Sequence, residues 1–552
     1  MLGFLLPTAL AAPLVEVLSD ELDRAVAVFD AQPETPHYIG VTVLEDHTVT
    51  LSAGSGTIDF RDDDRSRWLD VDLRVGTPEL DSTHPLRGFS ALEGETRGRV
   101  RLPLDDGYAL AHILARELDA RYREAAEHMV VLRANQNVLV EEEASANDFE
   151  PREAVVDTVE VPELAIDTAK WEDLLKRASA RADRSPHVHA DMVRLKVTRE
   201  VKHFVDTEGT RLEHGRLHAR LALDLQTTAD DGDRVQVFDA FDVHDPETLP
   251  TDLDAWVDAQ VQRLEALRVA TRGEPYSGPV ILEGRAAGVF FHEVMGHRVE
   301  GHRQKREDEG KTFSEHVGEP ILPAWIDVVD DPRVETLAGV DLNGFYAYDD
   351  EGVPAMRATL VDDGVFQGFL MGRSPLPDVP TTNGHGRRST GNPPSSRMGN
   401  TLVTATKAVP SAQLRRQLLD QVRKQGLEYA YIVEDIEGGF ALTGRMMPNA
   451  FNIRAVASWR VYADGRPDEL VRGIDLVGTP FVAFSNLSAA DDAPKVFNGT
   501  CGAESGWVPV SAVAPAILFD RLEFQLKEKG QDRPPLLPKP LVEDDGAAEV
   551  TP

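Results

Sequence analysis

The stretch Gly288–Gln304, GVFFHEVMGHRVEGHRQ, gathers His292, Glu293, His297 and His302 within eleven positions. Imidazole is a ready zinc ligand, and a carboxylate beside a ligating histidine is placed to hold or deprotonate a water molecule. The familiar HExxH spacing stacks two histidines one helical turn apart. Here the spacing is i and i+5, which on a regular helix at ~100° per residue turns His297 about 140° away from His292. Gly296 can relieve this by ending, bending or bulging the helix. A zinc site also needs a third protein ligand, and His302, Glu300, His316, His385 and Cys501 are the candidates. The bland alternative is a histidine-rich amphipathic helix with ordinary hydrogen bonds. Cys501 is the single cysteine of the chain and lies in NGTCGAESGWVPV (Asn498–Val510), read as a Gly-rich turn ahead of a strand. Structural cysteines more often sit inside apolar runs, so this setting points to ligation or chemistry.

Several elements must position these residues. From Pro36 to Phe60, two runs alternate apolar and polar residues as half-buried antiparallel strands do. Tyr108–Gln136 reads as a long amphipathic helix, Lys170–Asp183 and Leu253–Arg272 as further helices, and Asp191–Asp206 and Gly215–Phe241 as strands. An acidic stretch at 141–163 reads as a connector or exposed arm. After Pro275 the chain becomes Gly-punctuated and strand-like (Val280–Leu282, Arg357–Leu360, Val365–Met371, Tyr429–Ile436, Phe451–Tyr462), with helices expected only at Phe290–Lys305 and Ser411–Gln425. The expected class is α+β: an N-terminal α/β domain over residues 14–275, then a β-rich domain over 276–529 that carries the metal-site helix. Residues 530–552, rich in Pro and acids, read as a solvated tail. Residues 1–13, MLGFLLPTALAAP, resemble a signal segment with small residues at 9–11 but no preceding Lys or Arg. Both a cytoplasmic and an exported (periplasmic) location are compatible with that segment.

Composition narrows the classes of function. The chain has 552 residues and 41% hydrophobic content, enough to fill real cores. With 94 acidic against 58 basic side chains and a net charge of −36, it repels phosphate polyanions at long range, so no nucleic-acid partner is expected. A solitary cysteine excludes an intrachain disulfide, an all-cysteine zinc module and an iron–sulfur cluster. No apolar run reaches the ~18 residues needed to span a bilayer. Phosphate-binding loops of the GxGxxG or GxxxxGK[ST] kind are missing, which argues against a dinucleotide or ATP enzyme.

Four segments together make a resemblance. FFHEVMGHRVEGHRQ, YDDEGVPAMRATLVDDGVFQGFLMGRSPL (Tyr348–Leu376), TTNGHGRRSTGNPPSSRMGNT (Thr381–Thr401) and NGTCGAESGWVPV occur in the order found in the TldD/PmbA family of metallopeptidases. The resemblance is specific from Gly278 to Phe519 and weak before that. It implies an N-terminal α/β domain, a β-rich C-terminal domain, and a dimer around a cavity that takes unfolded peptides. It also implies Zn2+ on His292, His297 and Cys501, with Glu293 as general base. PmbA-like members lack this set and serve as partner subunits, so the chain resembles the metal-bearing type. Two departures stand out: His302 occupies the place of an aspartate in the family's HxLEGD pattern, and Thr443–Asn449, TGRMMPN, differs from the usual Ser/Thr-rich version. Glu300 and His302 therefore stand as residues behind the ligands or as alternative ligands.

The expected function is zinc-dependent hydrolysis of unfolded peptides or small unfolded proteins, by a homodimer or a heterodimer with a PmbA-like paralogue. Arg387 and Arg388 are expected either to bind a peptide carboxylate or acidic side chain, or to be plain surface charges in a loop. Two other readings compete. One is a peptide-binding partner subunit without cleavage of its own. The other is a secreted acidic structural protein in which Cys501 is inert.

Overall fold

The computed structural model describes residues 14–86, 99–104, 107–136, 146–306, 309–379, 381–441, 443–444 and 450–527. The signal-like segment 1–13 and the tail 530–552 lie outside the described residues, as do the first residues, 141–145, of the acidic stretch. Among the described residues, no helix is long and apolar enough to cross a membrane.

The N-terminal half is one long antiparallel sheet covered on a single face by four helices. Its elements are α1 (Leu14–Phe29), β1 (Pro36–Gly54), β2 (Thr57–Thr77), α2 (Gly107–Gln136), α3 (Thr168–Ala182), β3 (Ala190–Asp206), β4 (Arg211–Thr228), β5 (Arg234–Val243) and α4 (Asp254–Val269). The long strands run in the order β2-β1-β3-β4-β5. Ser55 and Gly56, both at positive φ, make the two-residue turn between β1 and β2 that suits the twist of a hairpin. Ile39, Val41, Val43 and Leu51 point to one face of β1, as a period of two requires. Leu18 and Leu22 of α1 and Leu110, Leu114 and Leu118 of α2 cover the first part of that face. Trp171 and Leu175 of α3 and Val257, Leu264 and Leu267 of α4 cover the rest. The single strand expected over Gly215–Phe241 is instead a hairpin, turned at Gly232 by a bond from Ala229 N–H to Asp233 O (2.8 Å). The acidic stretch is less of a free arm than its composition suggested. Val156–Thr158 pairs with β4, and Phe149 is buried against Tyr38 between the guanidiniums of Arg74 and Arg373.

Asp81 anchors the same corner. Fully buried, its carboxylate meets His37 (3.3 Å), Arg74 (3.4 Å) and the N–H and O–H of Thr83 (2.7 and 2.6 Å). Burial pushes this carboxyl up, but His37 and Arg74 outweigh it and hold the pKa at about 2. Against an unfolded value of ~3.9, the resulting stability is complete above about pH 4 and is lost as the pH falls through about 2. Asp81→Asn is therefore expected to cost about 2 kcal/mol in urea melts at pH 7, with the gap closing towards pH 2. A pH-independent difference would remove this account.

The C-terminal half packs two sheets around a buried helix. It contains β6 (Tyr276–Leu282), α5 (Gly284–Val294), β7 (Ile326–Asp330), β8 (Ala358–Asp362), β9 (Asn400–Ala405), α6 (Ser411–Gln425), β10 (Tyr429–Ala441), β11 (Phe451–Tyr462), β12 (Leu487–Asp491), β13 (Lys495–Ala503), β14 (Gly506–Ala514) and β15 (Ile517–Leu526). One sheet has the order β12-β15-β6-β10-β11 and the other β8-β7-β9-β14-β13, with shorter strands attached to the first at its edges and beside β11 and β15, and to the second beside β8. α5 is buried along almost its whole length, as a helix apolar all round must be. Gly284 and Gly288 let it lie on β14, because a Cβ at these positions would come within 2.6 Å of Ala514 O and 2.9 Å of Ala512 O. α6 covers the outer face of the first sheet through Leu414, Leu418 and Val422, and ends at Gly426 in the left-handed conformation. The architecture is α+β, with the β-rich half carrying the metal-site helix.

Candidate metal centre

The helix expected over Phe290–Lys305 is three helical pieces, the end of α5, a tighter turn and a short helix at His302–Lys305. α5 ends at Val294, Met295 leaves helical geometry (φ −109°, ψ −52°), and Gly296–Arg298 forms one tighter turn. Two features hold the break. Met398 lies against Gly296 so closely that a Cβ there would fall 2.0 Å from its sulfur. Arg298 turns back to donate to the carbonyls of Glu293 (2.9 Å) and Val294 (3.0 Å), which the broken helix leaves without partners. The break swings His297 round to the side of His292, and the two rings stand nearly perpendicular with centroids 5.2 Å apart.

Cys501 reaches them from the other sheet. It lies within β13, paired with Val508 of β14, and not in a turn as its glycine neighbours suggested. The turn comes later, between Ala503 and Gly506. Its Sγ is 3.3 Å from His292 Nε2 and 3.4 Å from His297 Nε2, and all three donor atoms lie within 4.8 Å of one another. A tetrahedral zinc with bonds of ~2.3 Å to sulfur and ~2.05 Å to nitrogen separates those atoms by about 3.5 Å. The donor set therefore fits zinc in both chemistry and spacing.

The three groups are electrostatically coupled to one another. Burial alone would raise the Cys501 thiol, but His297 and His292 outweigh it and hold the thiol well below its ordinary value. Burial likewise works to lower His292 and His297, and the facing Cys501 reverses this, raising both. Glu300, fully buried, receives His297 Nδ1 at 3.3 Å and Arg303 Nε at 2.9 Å. Despite burial, His297 and Arg303 keep Glu300 ionised well below the carboxylate range. A carboxylate only accepts, so it fixes the proton on Nδ1 and leaves His297 Nε2 free to ligate.

Glu293 follows His292 on α5 and is 8% exposed. Its side chain packs over Gly439 of β10, where a Cβ would press to within 2.9 Å of the Glu293 Cγ. Among the described residues, none donates a hydrogen bond to its carboxylate.

The other residues singled out from the sequence lie apart from these donors. His302 faces Glu504 at 3.6 Å, His316 pairs with Glu319 in an exposed turn, and His385 is buried between Asn383 and Asp330. Arg387 stacks over Tyr346 and donates to Met398 O, while Arg388 reaches Thr42 Oγ1 (3.0 Å) and Asp70 (3.9 Å). Both guanidiniums are nearly buried and are taken up by the protein's own groups. The acidic run Asp349–Glu351 has a comparable role. Asp349 accepts from the N–H groups of Glu351, Val353 and Gly386, Asp350 pairs with Lys202 of β3, and Glu351 accepts from Arg373 N–H. Asp350, through Lys202, and Arg388, through Thr42 and Asp70, join the C-terminal half to the N-terminal sheet. Arg397, which the sequence did not single out, touches both Glu300 and Cys501; only its place between the segments that carry the candidate ligands reveals it.

A nearly buried His–His–Cys set beside a glutamate offers three zinc-type donors with room for a fourth ligand. Residues 275–526 match the family described as PmbA/TldA metallopeptidase C-terminal domain. A "Metalloprotease" of Methanothermobacter thermautotrophicus is 26% identical over 330 residues, and the "Metalloprotease TldD homolog" of Haemophilus influenzae is 28% identical over 254. The matches cover 57% and 44% of this chain but only 65% and 47% of those proteins. The crystal structure of TldE from Thermococcus kodakarensis has the same fold, with a TM-score of 0.59 at 14% identity over 92% of this chain and 99% of its own. Residues 275–526 are thus similar to the C-terminal domain of the TldD/PmbA metallopeptidases.

Proposed function

We propose that this chain is a zinc-dependent peptidase that hydrolyses peptide bonds of unfolded peptides or small unfolded proteins. The observation that carries the reading is the triangle of His292, His297 and Cys501 with Glu293 alongside. The two histidines through Nε2 and the cysteine as thiolate would hold the ion. When bound, zinc supplies a Lewis acid for the scissile carbonyl and brings water closer to deprotonation at neutral pH. Glu293 takes the proton from the attacking water and returns it to the leaving amine. Glu300 holds His297 in its ligating tautomer.

A groove of about 1800 Å3 between the two halves, which His292, Glu293, His297 and Cys501 do not themselves line, has room for an extended chain. Its wall includes Ile436 of β10, Arg285 two turns before His292 on α5, and Thr500, the residue before Cys501. A net charge of −36 favours neutral or basic peptides over acidic ones. The assembly proposed is a dimer, homomeric or with a PmbA-like paralogue.

Purified protein loaded with zinc is expected to release fragments from an unfolded polypeptide such as reduced, alkylated casein, and to stop on chelation. Cleavage by metal-free protein would sink the reading. Peptide binding without fragments, turned into cleavage only by an added paralogue, would favour the partner-subunit alternative.

A further inference from the structure

We infer that Arg397 is a positioning residue that keeps the two halves of the ligand set in register. The inference rests on the zinc reading above. The histidines come from the end of α5 and the turn after it, whereas Cys501 comes from β13, two hundred residues later. Arg397 is fully buried and touches both sides. Its Nη2 donates to the carbonyl of Cys501 at 2.7 Å, and its Nη1 to Ser505 Oγ and to Gly506 O at 3.0 Å each. Three bonds thus pin the β13–β14 hairpin at the ligand and at its turn. On the other side Arg397 Nε lies 3.3 Å from Glu300 Oε1, an ion pair off hydrogen-bond alignment, and the second oxygen of Glu300 holds His297.

One planar cation therefore bridges the backbone of one ligand and the carboxylate that orients another. A guanidinium is costly to desolvate, and its fixed fork serves several acceptors at once in a way an ammonium does not. Arg303 repeats the bridge further out, binding Glu300 (2.9 Å) on one side and Glu504 (2.7 and 3.0 Å) in the hairpin turn on the other. Of the two arginines, only Arg397 contacts a residue that itself ligates. Its loss should let the thiolate and the imidazole drift relative to each other, and this loosens the metal while the fold stays intact.

The test uses Arg397→Gln and Arg397→Lys in the full chain. Zinc affinity is read by competition with a chromophoric chelator, and the geometry by the thiolate-to-metal band of the cobalt-substituted protein. Arg397→Gln is expected to bind zinc ~10–100-fold more weakly, as is usual for residues that orient metal ligands. Arg397→Lys should lose less, with the cobalt band altered in both. A purely structural role would lower the melting temperature and leave affinity and band as in the wild type. That result in folded Arg397→Gln overturns the inference. Should that variant not fold, the same result in Arg397→Lys overturns it. Wild-type protein that binds no zinc would instead sink the zinc reading itself.

Discussion

Glu293→Gln is expected to yield a folded protein that still binds zinc and has lost peptide hydrolysis by ~10²–10⁴-fold, the range typical of a general acid–base group. The change is nearly isosteric, and no described residue donates a hydrogen bond to the carboxylate, so little stability should go with it. His292, His297 and Cys501 remain to hold zinc. The amide, in contrast, cannot take a proton from water. Zinc stoichiometry and kcat on a fluorogenic peptide, measured on one preparation, separate the two effects. A kcat within threefold of the wild type, with zinc bound, would remove Glu293 from the reaction. Parallel loss of zinc would make it a ligand instead.

Cys501→Ser is expected to do the opposite, losing the metal first and activity as a consequence. A serine hydroxyl stays protonated at neutral pH, whereas the Cys501 thiol is held well below its ordinary value by His297 and His292 despite burial. Zinc binding should weaken by more than the ~100-fold upper end usual for residues behind a ligand. The wild type should also lose zinc as the pH falls. Ligands must be deprotonated to bind, and the raised histidines take up protons at a higher pH than free histidine does. Zinc content after dialysis across pH 8 to 5 checks the direction, which is affinity falling with falling pH. In the wild type, chelation should expose a thiol to alkylation that was masked before it. Full zinc occupancy in Cys501→Ser would remove Cys501 from the site.

Much of this was legible in the chain. The alternation in β1 and in Ala190–Asp206 and the helices Thr168–Ala182 and Ser411–Gln425 follow from local periodicity, which depends on neighbours in sequence. The misreadings have local and long-range causes. Gly215–Phe241 looked continuous because a tight turn needs only one glycine at positive φ, whereas the break in Phe290–Lys305 falls beside Gly296, where the sequence allowed one, and Met398, a hundred residues away, packs against it. Arg387 and Arg388 carried charge in a Gly-rich stretch, and nothing local announced that Asp70, Thr42 and Tyr346 would enclose them.

The sequence by itself determined the donor chemistry: two histidines and a glutamate in one short segment, a single thiol far along the chain, and a net charge of −36. Tertiary structure alone decided that the thiol meets the histidines. Spacing of i and i+5 points two imidazoles apart on an ideal helix, and no local rule joins residues two hundred positions distant. The meeting depends on a helix broken at Met295, on glycines that let α5 lie against β14, and on buried arginines that tie the β13–β14 hairpin to Glu300. Each is a long-range packing contact, formed only once the two sheets have closed around the helix.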